Sequence, residues 1–194
     1  GFARYGEQRY FLERNGRHAW QLLGAKNFIP WTGLDWERRK NFINTDNPSF
    51  SSKALLQAGE IVFVRVGVGC IGRVAVFEND RRAQADDWLH ILTPRPGVNP
   101  WYVAAWLASS AGQAQIKNLA HGVGTMSISK ASLASLPIPP MKDSLKQEVA
   151  RFFKKQVAAN RRTEEWVSDL DAYFEKTLKR AAAFSSRSTA SLGI

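Results

Sequence analysis

At 194 residues with 44% hydrophobic content, seven Trp and eleven Phe, the chain can bury a sizeable core and is not a largely disordered protein. Its 27 Lys and Arg against 17 Asp and Glu give a net charge of +10, which points to a polyanionic partner. A single cysteine, Cys70, excludes an internal disulfide and a multi-cysteine metal site and fits a reducing cytoplasm, and no stretch approaches the roughly 18 apolar residues that span a bilayer. No membrane partner is expected, and the opening residues do not read as a signal peptide.

In chain order, residues 1–16 mix aromatics with polar residues and glycine, as a lead-in or linker does. A globular unit over 17–140 follows. It opens with short apolar pieces broken by Gly and Pro between Trp20 and Trp36, then a charged stretch from Glu37 to Ser52 that reads as a surface loop. Two β-branched runs, Ile61–Val66 and Arg73–Phe77, flank a glycine-rich turn and predict two strands of one sheet, with a third at Trp88–Leu92. Asn99-Pro100 is a helix start, Asn as cap and Pro at the first helical position. It predicts a helix over Trp101–Ser109 and a second over Ala111–Ala120. Leu136-Pro-Ile-Pro139 predicts a short strand that closes the globular unit, since prolines exclude helix interior.

From Asp143 to about Ala183 there is neither Gly nor Pro. Leu145, Val149, Phe152, Trp166, Leu170 and Tyr173 fall on a seam with alternating steps of four and three. One long helix over 141–184 is expected, about 41 residues and roughly 60 Å of rod. Such a rod should pair with another helix, and replacing Phe152 and Leu170 with Asp should separate assembled chains without unfolding the globular unit. A flexible tail over 185–194 completes the reading. The fold class is mixed α/β (α+β): a domain with a small sheet and helices, then one long C-terminal coiled-coil helix.

Several motifs suggest chemistry without completing it. Gly67-Val-Gly-Cys-Ile-Gly72 matches GxGxxG, but a dinucleotide fingerprint needs a helix after the third glycine, and Arg73-Val-Ala-Val-Phe77 is strand-like. Asp46-Asn-Pro-Ser-Phe50 resembles the D/N-P-P-Y/F motif of adenine methyltransferases, yet Ser49 replaces the second proline and no cofactor unit precedes it, so a turn is expected. His18, His90 and His121 are scattered and lack metal-ligand spacing. Cys70 reads as a buried thiol rather than a nucleophile. No catalytic residue, metal or cofactor is expected, and the chain is not read as an enzyme.

An ordered series of motifs carries a resemblance instead. Ile29-Pro-Trp31, Leu56-Gln-Ala-Gly-Glu-Ile-Val-Phe-Val-Arg-Val-Gly67, Ile71-Gly-Arg-Val-Ala-Val76, Asn99-Pro-Trp-Tyr102, Gly122-Val-Gly-Thr-Met-Ser-Ile-Ser129 and Leu136-Pro-Ile-Pro139 follow one another as in the specificity subunits of type I restriction–modification systems. The chain resembles one target recognition domain of that family plus its spacer helix. Glu60 replaces the family's usual Asp, and one recognition domain stands where the full subunit carries two. The resemblance implies sequence-specific binding of double-stranded DNA and partnership with a DNA methyltransferase (modification) subunit and a restriction subunit. With one copy per chain, it also implies a homodimer through the C-terminal helix. The alternative is the DNA recognition region of a fused adenine-specific methyltransferase or restriction enzyme whose catalytic domain lies outside this chain.

Residue chemistry nominates the DNA contacts. No carboxylate occurs from Trp88 through Lys142, as a surface meeting phosphate requires, although core segments also lack charge. Within that window Gly122 and Gly124 permit close backbone approach, Thr125, Ser127 and Ser129 offer donors and acceptors, and Lys130 suits phosphate. Ser127 or Ser129 could equally cap the next helix. Gln113, Lys117 and His121 precede the loop. Arg65 and Arg73 flank the glycine turn with the side chain best shaped for guanine, or equally for surface ion pairs. Trp31, Arg38, Arg39 and Lys40 form a basic-aromatic loop that fits either phosphate contact or plain solvation.

Overall fold

The computed structural model describes residues 19–29, 33–36, 39, 41–78, 81–159 and 169–180. The lead-in 1–16, the tail 185–194 and Trp31, Arg38, Lys40 and Trp166 lie outside them.

The strand at the centre, β5 (Ile61–Val64), explains the layering. Successive side chains of a strand point to opposite faces. Here all four are buried, Ile61 and Phe63 in one core and Val62 and Val64 in another. β5 pairs antiparallel with β6 (Val74–Val76) and with β8 (Leu89–Leu92), so the order is β6-β5-β8. The face carrying Phe63 receives the helices. The other face packs against Leu23, Phe28, Ala83 and Ala85. These belong to or adjoin a second sheet, in which β1 (Ala19–Leu23) lies between antiparallel β4 (Phe42–Asn44) and parallel β7 (Ala83–Ala85). A two-residue hairpin, β2 (Phe28–Ile29) with β3 (Gly33–Leu34), completes the strands. The architecture is mixed α+β.

The paired strands around the glycine turn form as expected but shorter, the first losing Arg65 and Val66 at the turn and the second Arg73 and Phe77 at its two ends. The stretch 37–52 is not simply a loop, because Phe42–Asn44 is an edge strand with Ile43 buried. A strand of three residues inside a charged run is too short for an alternation signal.

Helix α1 (Pro100–Ala108) starts as the sequence predicts, the Asn99 Oδ1 accepting the Trp101 N–H at 2.9 Å with Pro100 in the first turn. Replacing Asn99 with Ala should cost about 1 kcal/mol in unfolding free energy, a loss that urea titration would resolve. Ser109 ends α1 and caps α2 (Ser110–Leu119): its hydroxyl donates to the Trp106 carbonyl at 2.7 Å and accepts the Gly112 N–H at 3.2 Å. A Cβ at Gly112 would collide with that same carbonyl, so the corner demands glycine. α3 (Lys130–Ala134) and α4 (Asp143–Ala158) follow.

Residues 136–140 form no strand. Pro137 and Pro139 have no N–H for a ladder, and their carbonyls are taken by side chains of α1 instead. Trp106 Nε1 donates to the Pro137 carbonyl at 3.0 Å and the Tyr102 hydroxyl to that of Pro139 at 2.5 Å.

The straight rod expected over 143–183 is not formed either. α4 is 16 residues long and lies against α1, with Trp101 and Phe153 edge to face at 5.9 Å. Helical residues 169–180 lie alongside it in the opposite direction, the later Arg180 meeting the earlier Glu148. Phe152 stacks on Tyr173 at 4.3 Å, the Tyr173 hydroxyl donates to Glu148 at 2.8 Å, and Arg180 pairs with Glu148 at 3.1 Å. Phe174 reaches the domain core, 6.4 Å from the Tyr102 ring and 5.7 Å from the Trp106 ring. Leu145, Val149, Phe152, Leu170 and Tyr173 do form a seam, but they close it within the chain, and Val149 and Leu170 are fully buried. The heptad spacing was a true sign of helix packing. It does not distinguish a partner in another chain from one in the same chain.

Candidate nucleic-acid interface

Two glycine segments far apart in sequence meet at one end of the β6-β5-β8 sheet. The first is the β5–β6 connection. Val64 and Gly72 close it by a backbone bond of 2.9 Å, and the Gly67 carbonyl accepts the Ile71 N–H at 3.1 Å. Gly67, Gly69 and Gly72 have φ of 125°, 73° and 86°, values that side chains with a Cβ rarely adopt. At Gly72 a Cβ would also lie 2.7 Å from the Gln113 Oε1. The GxGxxG segment is therefore a tight strand-to-strand turn, with no helix to receive a pyrophosphate. Asp46–Phe50 is likewise a turn, held by the Ser49 N–H on Asn47 Oδ1 at 2.8 Å.

The second segment is a hairpin between α2 and α3. His121 and Ser127 exchange two backbone bonds of 2.9 Å, and the tip carries Gly122 and Gly124 at φ of 136° and 83°. A Cβ on Gly122 would strike the Thr125 carbonyl. The hairpin hangs on the glycine turn by main-chain bonds: the Gly67 N–H donates to Met126 at 3.0 Å and the Ile128 N–H to Arg65 at 2.9 Å. Beneath it, the buried His90 has its Nε2 3.1 Å from the Ile128 carbonyl. A carbonyl only accepts, so this nitrogen carries the proton. Burial holds the His90 ring below the usual imidazole range, and the cations Arg65 and Lys130 push the same way, while the bond to Ile128 opposes them.

The face so formed gathers most of the nominated residues. Arg65 Nε donates to the Asp87 carbonyl at 2.7 Å, and Arg73 Nη2 donates to the Gly69 carbonyl at 3.1 Å, which braces the turn. Each guanidinium retains further donors. His121, Gly122, Gly124, Thr125 and Lys130 are exposed on the hairpin and just after it, and Lys117 is exposed in the last turn of α2. The Ser127 hydroxyl donates to the His121 carbonyl at 3.4 Å. Ser129 caps α3, its Oγ accepting the Ser132 N–H at 3.0 Å, so the capping reading applies to it.

Gln113 is a correction. It is buried, and its Nε2 donates to the Gly72 and Leu107 carbonyls at 2.9 and 2.7 Å. It ties α2 to the glycine turn and presents nothing to solvent. An amide on a helix face can serve either role, and its sequence position does not say which. Arg39, the described member of the basic-aromatic loop, has its carbonyl fixed by Asn27 Nδ2 at 3.0 Å and its charge beside Asp86.

Sequence reasoning passed over Asp86, Lys53, Trp88 and the two valines at the loop tips. Asp86 accepts the Trp88 N–H at 2.9 Å. Burial, reinforced by neighbouring Asp87, raises its carboxyl to about 7 despite that hydrogen bond and the nearby Arg39 and Arg65. It borders a cleft of about 570 Å³ lined by Lys53, Arg65, Asp87, Thr93 and Lys130, with the buried His90 at its floor. Glu60, at the position where the resembled motif has Asp, is buried and accepts from the Gln57 N–H at 2.8 Å and the Thr93 hydroxyl at 2.7 Å. That role is structural. Cys70 is half-buried with its Sγ 3.5 Å from the Val66 carbonyl, and burial pushes the thiol up, against the pull of Arg73.

Among the described residues, no three or more His, Cys, Asp or Glu side chains are grouped so as to hold a metal ion, and no helix is long and apolar enough to cross a membrane. Compared with known proteins, the chain matches no family model and no curated protein.

Proposed function

We propose that this chain is a DNA specificity module that reads double-stranded DNA through the face built from the 65–73 turn and the 121–130 hairpin. The observation that carries the reading is their convergence. Two glycine-shaped loops with exposed tips, bonded to each other along the main chain, carry Arg65, Arg73 and Lys130 at their ends, with Lys117 exposed in the helical turn before the hairpin, and neither loop has a carboxylate, although Asp87 stands beside Arg65. Arginine beside a backbone that can approach closely suits base edges, and the lysines suit phosphates.

The ordered motifs resembling type I specificity subunits extend the proposal to partners. The domain would direct a methyltransferase subunit and a restriction subunit to its site in the cytoplasm. The hairpin of α4 and residues 169–180, in place of a single rod, would be the element on which those subunits or a second copy dock.

Selection of bound duplexes from a random pool at several salt concentrations tests this. Enrichment of a gapped two-part site supports a paired specificity subunit, and one contiguous motif favours the recognition part of a fused enzyme. No enrichment at any salt refutes sequence reading. Lys130→Ala should weaken binding to all duplexes alike and reduce the salt slope by about one, whereas Arg65→Ala should relax discrimination at one base position by about 1–3 kcal/mol. An Arg65 variant that discriminates like the parent removes that assignment.

A further inference from the structure

The two loops share a feature that the proposed phosphate and guanine contacts leave unused. Each carries a valine between two glycines of positive φ, Gly67-Val68-Gly69 and Gly122-Val123-Gly124. Val68 is 76% exposed and Val123 fully exposed at 106%, and Trp88, 37% exposed, lies against the Gly67 side of the turn, 3.8 Å from where a Gly67 Cβ would stand. A lone exposed apolar residue needs no explanation. Two of them at the tips of hydrogen-bonded loops, each flanked by residues that let the main chain approach a partner, do.

We infer that Val68 and Val123 are specificity-determining residues, their side chains making apolar contact with the 5-methyl group of thymine in the major groove. Valine has no donor or acceptor, so the thymine methyl is the one feature of a major-groove base edge that it can recognise favourably. Arg65, Arg73 and Lys130 at the ends of the two loops, and Lys117 in the helical turn before the hairpin, outnumber the acidic Asp86 and Asp87 beside Arg65, and that balance favours a polyanion over an apolar protein surface as the occupant. The inference rests on the DNA-reading function proposed above.

The experiment uses the full chain and duplexes enriched from the random pool, with each thymine replaced in turn by deoxyuridine, which lacks only the methyl. The parent should lose about fourfold in affinity at one or more positions, near the value of one buried methyl group. Val68→Ala or Val123→Ala, which shortens the side chain to a single methyl, should show a smaller thymine-over-deoxyuridine preference than the parent at the matching position, with unchanged thermal unfolding, because both side chains stand in solvent and the glycine geometry is untouched. A parent indifferent to every such replacement, or an enriched motif without thymine, overturns the valine assignment while the DNA reading stands. So does a pair of alanine variants that enrich the parent's motif and keep its thymine preference. Absence of any enriched duplex instead overturns the sequence reading on which the inference rests.

Discussion

Leu170→Asp will strongly destabilise the domain instead of merely separating assembled chains. Leu170 is fully buried in the core cluster that includes Phe63, Trp106 and Phe153, and a carboxylate there would have to lose its hydration. The expected loss exceeds about 3 kcal/mol, a large share of the roughly 5–15 kcal/mol that holds a domain of this kind together. Phe174→Ala, which empties the space against the Tyr102 and Trp106 rings, should cost about 3–5 kcal/mol. Urea unfolding followed by tryptophan fluorescence measures both. If either variant keeps the parent's midpoint, residues 169–180 do not belong to the core. A Leu170→Asp protein that stays folded but changes only its sedimentation would restore the pairing rod.

A second large effect concerns protons. Folding raises the Asp86 carboxyl from 3.8 to about 7, so the folded state binds this proton more tightly than the unfolded state does. The resulting stability is complete below about pH 4 and is lost as pH rises through about 7. Above pH 7 the folded chain holds a half-buried carboxylate at a cost of about 2–4 kcal/mol. Asp86→Asn keeps an oxygen for the Trp88 N–H and removes the charge. The variant should therefore match the parent near pH 4 and exceed it by that margin at pH 8. Groups pulled the other way, such as Glu148 beneath the Tyr173 hydroxyl and Arg180, titrate in both proteins and cancel in the difference. A difference that is flat between pH 4 and 8 would show that Asp86 titrates like an open carboxylate.

What the sequence made legible follows from signal strength. The Asn99-Pro100 start and the β-branched runs about Gly67–Gly72 were readable because cap chemistry and turn glycines act locally. β4 and β7 were not, since three-residue strands such as Ala83–Ala85 owe their pairing to β1, far along the chain. The proline segment misled because extended backbone without N–H groups looks like a strand, whereas its partners are the Trp106 and Tyr102 side chains. The heptad seam singled out residues that do pack, Leu145, Val149, Phe152, Leu170 and Tyr173, but they meet within the chain. At the candidate interface, the glycines and most of the basic residues were visible as types. Neither the joining of the two loops nor the burial of Gln113 has a sequence signature, because both depend on contacts across the fold.

The way the hairpin is fastened has an evolutionary consequence. Besides the His90 side chain beneath Ile128, its anchors are the amide of Gly67 and the carbonyl of Arg65, atoms that every non-proline residue supplies. Side chains at the loop tips can therefore be exchanged without disturbing the mounting. If the face reads DNA as proposed, a lineage would move from one target word to another by point changes at positions 68, 123 and 125, its frame unaltered throughout.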